Sequence, residues 1–242
     1  MIGEAIATWQ LPLALTEVSG LAVAGENTLL MHNDEFGVIY RMDITTGDVA
    51  PFLQLGDPPE AADFEGIAVM GGDIFLVDSR GRVYRIEEGL TREGVVDATR
   101  EGSGLRKTCE VEGLDPAPDG TTLVIACKEM SRKKADSVSL FRYDPASDEL
   151  TELLAIAFAT VGEKIHPSAV VAKQSGFLVL AARDQVLLEL GPAGEVIAGT
   201  RLAARRHPQA EGLAVLGDRL VIADEGGLVT VYPCLGTTCS DP

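Results

Sequence analysis

Asp63-Phe64-Glu65-Gly66-Ile67 recurs in altered form along this chain. Glu110-Val111-Glu112-Gly113-Leu114 and Gln209-Ala210-Glu211-Gly212-Leu213 keep its Glu-Gly pair. Glu17-Val18-Ser19-Gly20-Leu21 and His166-Pro167-Ser168-Ala169-Val170 keep its shape with Ser in place of the central Glu. The third residues of the five phrases stand 46 (19 to 65), 47 (65 to 112), 56 (112 to 168) and 43 (168 to 211) positions apart. A period of roughly 40–50 residues filled by short strands points to propeller blades.

Each period breaks into short alternating runs bounded by Gly, Pro and Asp, the pattern of antiparallel strands joined by hairpins. Turn chemistry separates the runs at Thr46-Gly47-Asp48, Gly71-Gly72-Asp73, Asp119-Gly120 and Ala193-Gly194. The second repeat, for example, reads as strands over 66–70, 73–77, 82–87 and 95–99. The last repeat supplies only three runs, while the run at 6–11 precedes the first repeat without a partner. Pairing 6–11 beside 228–232 closes the ring without an open edge. The sequence therefore predicts an all-β, five-bladed β-propeller of four-stranded antiparallel blades, a single domain over 1–242. Aromatic-Arg pairs in the third strands (Tyr40-Arg41, Tyr84-Arg85, Phe141-Arg142) are expected to pack between blades, with the Arg covering an edge.

Composition narrows the function classes. With 37 Asp and Glu against 20 Lys and Arg, the formal charge is −17, which disfavours nucleic acid as a partner. No apolar run reaches the length of a membrane span, and the opening residues lack the basic and apolar segments of a secretory signal. The chain is expected to be monomeric. Cys109 and Cys127 flank the Pro118-Asp119-Gly120 turn symmetrically, and Cys234 and Cys239 are near neighbours. Neither pair has zinc spacing, and disulfides and free thiols both remain open, as does the compartment.

In a propeller the first strand of each blade lines the central channel. Residues two apart on a strand face the same way, so the phrase places two rings of side chains at one mouth. The outer ring is Glu17, Asp63, Glu110, His166 and Gln209, and the inner ring is Ser19, Glu65, Glu112, Ser168 and Glu211. Second-strand ends add Asp34, Asp78 and Asp224, followed by Glu35, Lys128, Arg183 and Glu225. Carboxylates crowded in a narrow channel raise one another's pKa, and a hard divalent cation relieves the conflict. Oxygen ligands suit calcium, so Glu65, Glu112 and Glu211 are candidate calcium ligands. The alternative is that these side chains accept strand N–H groups and seal the ring.

Ten basic residues fall in segments expected at the same mouth: Arg106, Lys107, Lys128, Arg132, Lys133, Lys134, Lys164, Arg183, Arg205 and Arg206. A metal facing such a cationic wall would hold a small anion, with Asp63, Lys128, His166 and Arg183 as ligand-binding residues. A solvated charged loop explains the basic run at 131–134 equally well. No Gly-x-Ser-x-Gly and no phosphate-cradling loop is present. His166 is the one histidine expected on the channel, as a hydrogen-bonding residue, a ligand or a general base.

With the Glu-Gly phrases, the run Leu76-Val77-Asp78-Ser79 and the strand Val83-Tyr84-Arg85, the chain resembles the SdiA-regulated, YjiK-like family. The resemblance implies a five-bladed propeller with a calcium site, usually envelope-associated, with no established activity. Carried over, it assigns the phrase carboxylates to Glu65, Glu112 and Glu211, while Ser19 and Ser168 interrupt the ring. A looser likeness to gluconolactonase-like and phytase-like propellers supplies an enzyme hypothesis. Two functions are thus expected: a calcium-binding propeller offering its mouth to a small anion or a protein partner, or a metal-dependent hydrolase of a phosphoester or lactone.

Overall fold

Each repeat phrase opens the innermost strand of an antiparallel sheet, and the five sheets among the described residues form a propeller. The computed structural model describes residues 2–90, 94–131, 136–234 and 239. Blade one contains β2 (Val18–Gly25), β3 (Thr28–Asn33), β4 (Val38–Asp43) and β5 (Val49–Leu55). Blade two contains β6 (Phe64–Met70), β7 (Asp73–Asp78), β8 (Arg82–Ile86) and β10 (Thr99–Gly102). Blade three runs through β11 (Cys109–Pro116), β12 (Leu123–Met130), β13 (Ser137–Asp144) and β14 (Glu149–Ala157). Blade four runs through β15 (Ala169–Lys173), β16 (Gly176–Ala181), β17 (Val186–Leu190) and β18 (Val196–Arg201). Blade five joins β19 (Ala210–Leu216), β20 (Arg219–Asp224) and β21 (Leu228–Pro233) to β1 (Ala7–Gln10).

The ring closes as the sequence predicts. β1 pairs antiparallel with β21, Ala7 opposite Val231 and Gln10 opposite Leu228. Trp9 locks the closure by donating its indole N–H to the Ile44 carbonyl in blade one, 3.2 Å away.

Blade two departs from the sequence reading. Its outer strand is β10, whose Thr99 pairs with Arg85. Residues Gly94–Val96 instead form β9, which runs parallel to β5 as a fifth strand on blade one, Leu53 opposite Gly94. The alternating run was strand-forming, but its partner is chosen by the neighbouring blade's exposed edge.

Apolar side chains gather in five clusters among the described residues, each between adjacent blades, rather than in one central core. Tyr84 and Phe141 are buried there, while Arg41 lies 5.0 Å from the Phe52 ring centroid and Arg85 lies 5.9 Å from that of Phe75. Both cysteine pairs are disulfides, Cys109–Cys127 and Cys234–Cys239. The first ties β11 to β12 at the start of the channel-lining strand. Among the described residues no helix is long and apolar enough to cross a membrane.

Candidate functional site

The central residue of the phrase occupies a β-bulge in four blades. Pairing passes from Val18–Asn33 to Gly20–His32, from Phe64–Asp78 to Gly66–Val77, from Val111–Cys127 to Gly113–Ala126, and from Ala210–Asp224 to Gly212–Ala223. Ser19, Glu65, Glu112 and Glu211 are the skipped residues, and a bulge of this kind re-aims a side chain. The following glycine answers a separate need. A Cβ on Gly66 would lie 2.8 Å from the backbone nitrogen and from the Cβ of Leu114, and one on Gly212 would lie 2.8 Å from Leu21 Cγ. The first strands converge so tightly at the hub that a side chain at these points would strike the next blade.

Glu65, Glu112 and Glu211 are brought together, with Ser19 and Ser168, around one hub cavity of about 10 Å³. That is room for one water or one bare ion. The fifth residues of the phrases, Leu21, Ile67, Leu114, Val170 and Leu213, lie beneath them, each no more than 4 % exposed. They make an apolar floor, so the carboxyls stand in a blind well. Beyond the floor, on the opposite side of the disc, is a separate cavity of about 210 Å³ that includes Val23, Val69 and Asp115.

The well is strongly acidic. Ser19 Oγ donates to Glu65 Oε2 at 3.0 Å, and Lys128 Nζ donates to Glu112 Oε1 at 2.7 Å. Burial pushes the Glu65 carboxyl far above its usual range, helped by the charges of Glu112 and Asp63 and opposed by the Ser19 bond and Lys128. Burial also raises Glu112, with Lys128 working against the rise and Glu110 and Asp63 adding to it. Glu211 is raised to about 8 by burial, then by Glu112, Glu225 and Asp224. At the rim, Asp34 is raised by burial and by Glu17, Glu35 and Asp63. The charge of Lys128 opposes the rise at all three well carboxyls.

The other expected site residues fall as follows. Asp63 is exposed on the rim, its charge acting on Glu65 and Glu112. His166 is buried beside the well, not in it. Its backbone N–H donates to Asp184 Oδ2 at 2.6 Å, its Nδ1 lies 3.1 Å from the same oxygen, and its Nε2 lies 3.5 Å from Glu129 Oε1. Arg183 is exposed, and its charge acts on Glu129, which Lys164 already holds at 2.6 Å. The cationic wall is therefore represented at the well by Lys128. Arg132, Lys133 and Lys134 lie outside the described residues.

Several contacts escaped the sequence reading. Ser168 Oγ donates to the Ala210 carbonyl at 2.8 Å and accepts the Ala182 N–H at 3.2 Å, so this Ser stitches blade four to blade five. Asp78 accepts the Arg80 and Arg82 N–H groups and the Arg82 Nε–H, which makes it a turn anchor. Asp224 instead joins His207 Nδ1 at 2.7 Å, and His207 Nε2 joins the Tyr232 hydroxyl at 2.5 Å, all three buried. The signal for the hub floor was present in the sequence, as the constant branched residue two places after each Glu or Ser.

The donor set offers hard oxygens suited to calcium. As placed, however, no group of three or more His, Cys, Asp or Glu among the described residues has metal-holding geometry.

No family model matches the chain, and no curated protein matches it. Solved structures do. Glutaminyl cyclase from Myxococcus xanthus superposes with TM-score 0.65 at 16% identity, over 96% of this chain and 97% of that one. A luciferin-regenerating enzyme gives 0.54 at 11% identity, over 98% and 97%. Virginiamycin B lyase from Staphylococcus aureus, in a catalytically inactive form with quinupristin, gives 0.51 at 13% identity, over 93% and 69%. At these identities the similarity establishes the shared propeller fold, on which sites are built independently.

Proposed function

We propose that the well and its rim form an acid–base site that receives the ammonium head of an amine at the mouth, and that the protein is an enzyme acting on an amine-bearing substrate. The observation that carries this reading is the charge balance: the buried Glu112 and the partly buried Glu65 and Glu211 stand together beneath an acidic rim, and Lys128 opposes the rise of all three. Such a well draws a cation and repels the anion first expected. Near neutral pH it holds both protonation states. Glu112, held by Lys128, is the carboxylate that takes a proton from the amine. Glu65, the most strongly raised by burial, is the acid that gives one to a leaving group. Pairs of carboxyls pushed apart in this way divide the two roles. A peptide with N-terminal glutamine is the first substrate to try, because its amine is cationic and because a glutaminyl cyclase shares the fold. There the amine freed by Glu112 would attack the side-chain amide carbon, Glu65 would protonate the departing nitrogen as the C–N bond breaks, and the second proton of the attacking nitrogen would pass back to Glu65, so that the lactam and ammonia leave.

The test is calorimetry with such a peptide and with its N-acetylated form, together with an assay for released ammonia. Binding of the free amine alone, weakened in Glu112→Gln, supports the reading. Equal binding of the acetylated peptide, or none of either, overturns it.

A second reading keeps calcium in the well as a competitor for its protons. It is favoured by three carboxyls lining one ion-sized cavity. Calcium would then raise the melting temperature by mass action, and a chelator would reverse the rise. A melting curve indifferent to both removes calcium. The resemblance to the SdiA-regulated family fits this reading as well.

A further inference from the structure

A second cavity opens on the mouth side, in the groove between blades two and three. It is about 430 Å³ in volume, within the range of roughly 300–1,000 Å³ found for small-molecule sites. Arg80, Arg106 and Lys107 line it, and among the described residues none of their side chains makes a hydrogen bond or an ion pair. Elsewhere in this acidic chain Arg82, Arg85, Arg100, Lys128, Lys164 and Arg201 each pair with a carboxylate.

The three cations sit on backbone that is tied together. Arg80 belongs to the turn between β7 and β8. Arg106 and Lys107 belong to a single 3-10 turn at Leu105–Lys107, anchored by the fully buried Leu105 and closed by the Thr108 N–H to the Leu105 carbonyl at 2.7 Å. Ser103 joins the two segments, its N–H and its buried hydroxyl both donating to the Gly81 carbonyl, at 3.0 and 2.7 Å. The hydroxyls of Ser79, Thr108 and Ser131 add neutral hydrogen-bonding groups to the groove, and Met130 and Cys109 add apolar surface. Glu110 and Glu129 border it, the latter already engaged by Lys164.

We propose that this groove is an anion site that holds a small molecule by its phosphate or clustered carboxylate oxygens. Three unpaired cations on a braced frame supply the charge-assisted bonds such oxygens need. The site is distinct from the acidic well, which takes the opposite charge.

Pyrophosphate and citrate serve as probes of the two oxygen types, titrated at low ionic strength by calorimetry. The expected result is saturable binding of one equivalent of at least one probe, weakened by added salt. The triple change R80Q/R106Q/K107Q should weaken it by at least about tenfold. All three side chains are exposed, so an unchanged melting temperature should confirm that the variant folds. Glu65→Gln, in the well, should leave probe affinity unaltered. Preference for pyrophosphate or citrate identifies the oxygen chemistry. Failure of both probes to saturate, equal affinity in the triple variant, or loss of affinity in Glu65→Gln overturns the proposal.

Discussion

Lys128 Nζ stands 2.7 Å from Glu112 Oε1, joining the end of the second strand of blade three to the bulge of its first strand. Glu112 is 4 % exposed, so a charge there needs a partner. The ammonium keeps one carboxyl of the well ionisable while its neighbours are pushed towards the neutral form.

Replacing Lys128 by Met should therefore cost stability in a pH-dependent way. Below about pH 5 the well is protonated in any case and the change should be nearly neutral. Near pH 8 the variant should lose on the order of 1–2 kcal/mol, a charge-assisted bond discounted for the partial exposure of Lys128. Urea melts at the two pH values measure this, and equal losses at both would refute the pairing.

Glu211 gives the sign of the wild-type pH dependence. Its folded pKa is about 8 against an ordinary value of 4.5, so between those values the folded state holds more protons than the unfolded one. Its contribution is complete below about 4.5 and is lost as pH rises through about 8. Glu211→Gln should flatten the fall in stability between about pH 5 and pH 8, by on the order of 1–3 kcal/mol. A slope unchanged in the variant would show that Glu211 titrates normally.

Gly66→Ala should destabilise by about 1–3 kcal/mol, because the new methyl meets the Leu114 backbone nitrogen and Cβ at 2.8 Å. Gly89, whose Cβ would meet nothing within 4 Å, provides the comparison, and Gly89→Ala should be nearly silent. Thermal melts of the two variants decide the matter, and similar melting temperatures would contradict the tight hub.

Reducing Cys109–Cys127 should lower stability by about 2–4 kcal/mol, since it closes an 18-residue separation across the β11–β12 hairpin. The double change to Ser isolates this bond from Cys234–Cys239. A variant as stable as the oxidised wild type would argue that the cross-link is dispensable.

The propeller was legible because its repeat phrase serves two local demands at once, a bulge and a glycine at the crowded hub. The closing strand was legible because one end of the chain lacked what the other end had spare. The placement of Gly94–Val96 was not, since alternation reports that a strand forms but not which sheet receives it. The carboxyl ring could be read from Glu65, Glu112 and Glu211. The pairing of Ser19 with Glu65 could not, because it crosses between blades at a distance of 46 residues in sequence. The basic wall misled for a related reason. Arg183 and Lys128 occupy corresponding strand ends, yet Lys128 bonds Glu112 in the well while the charge of Arg183 acts on Glu129.

Leu21, Ile67, Leu114, Val170 and Leu213 floor the well with buried branched side chains. The consequence concerns traffic. The carboxyl well opens at the mouth and ends at this floor, so any ligand of the well would enter and leave by the same side. The carboxyl well and the cavity on the Asp115 side thus stand on opposite faces of one frame, divided by this floor.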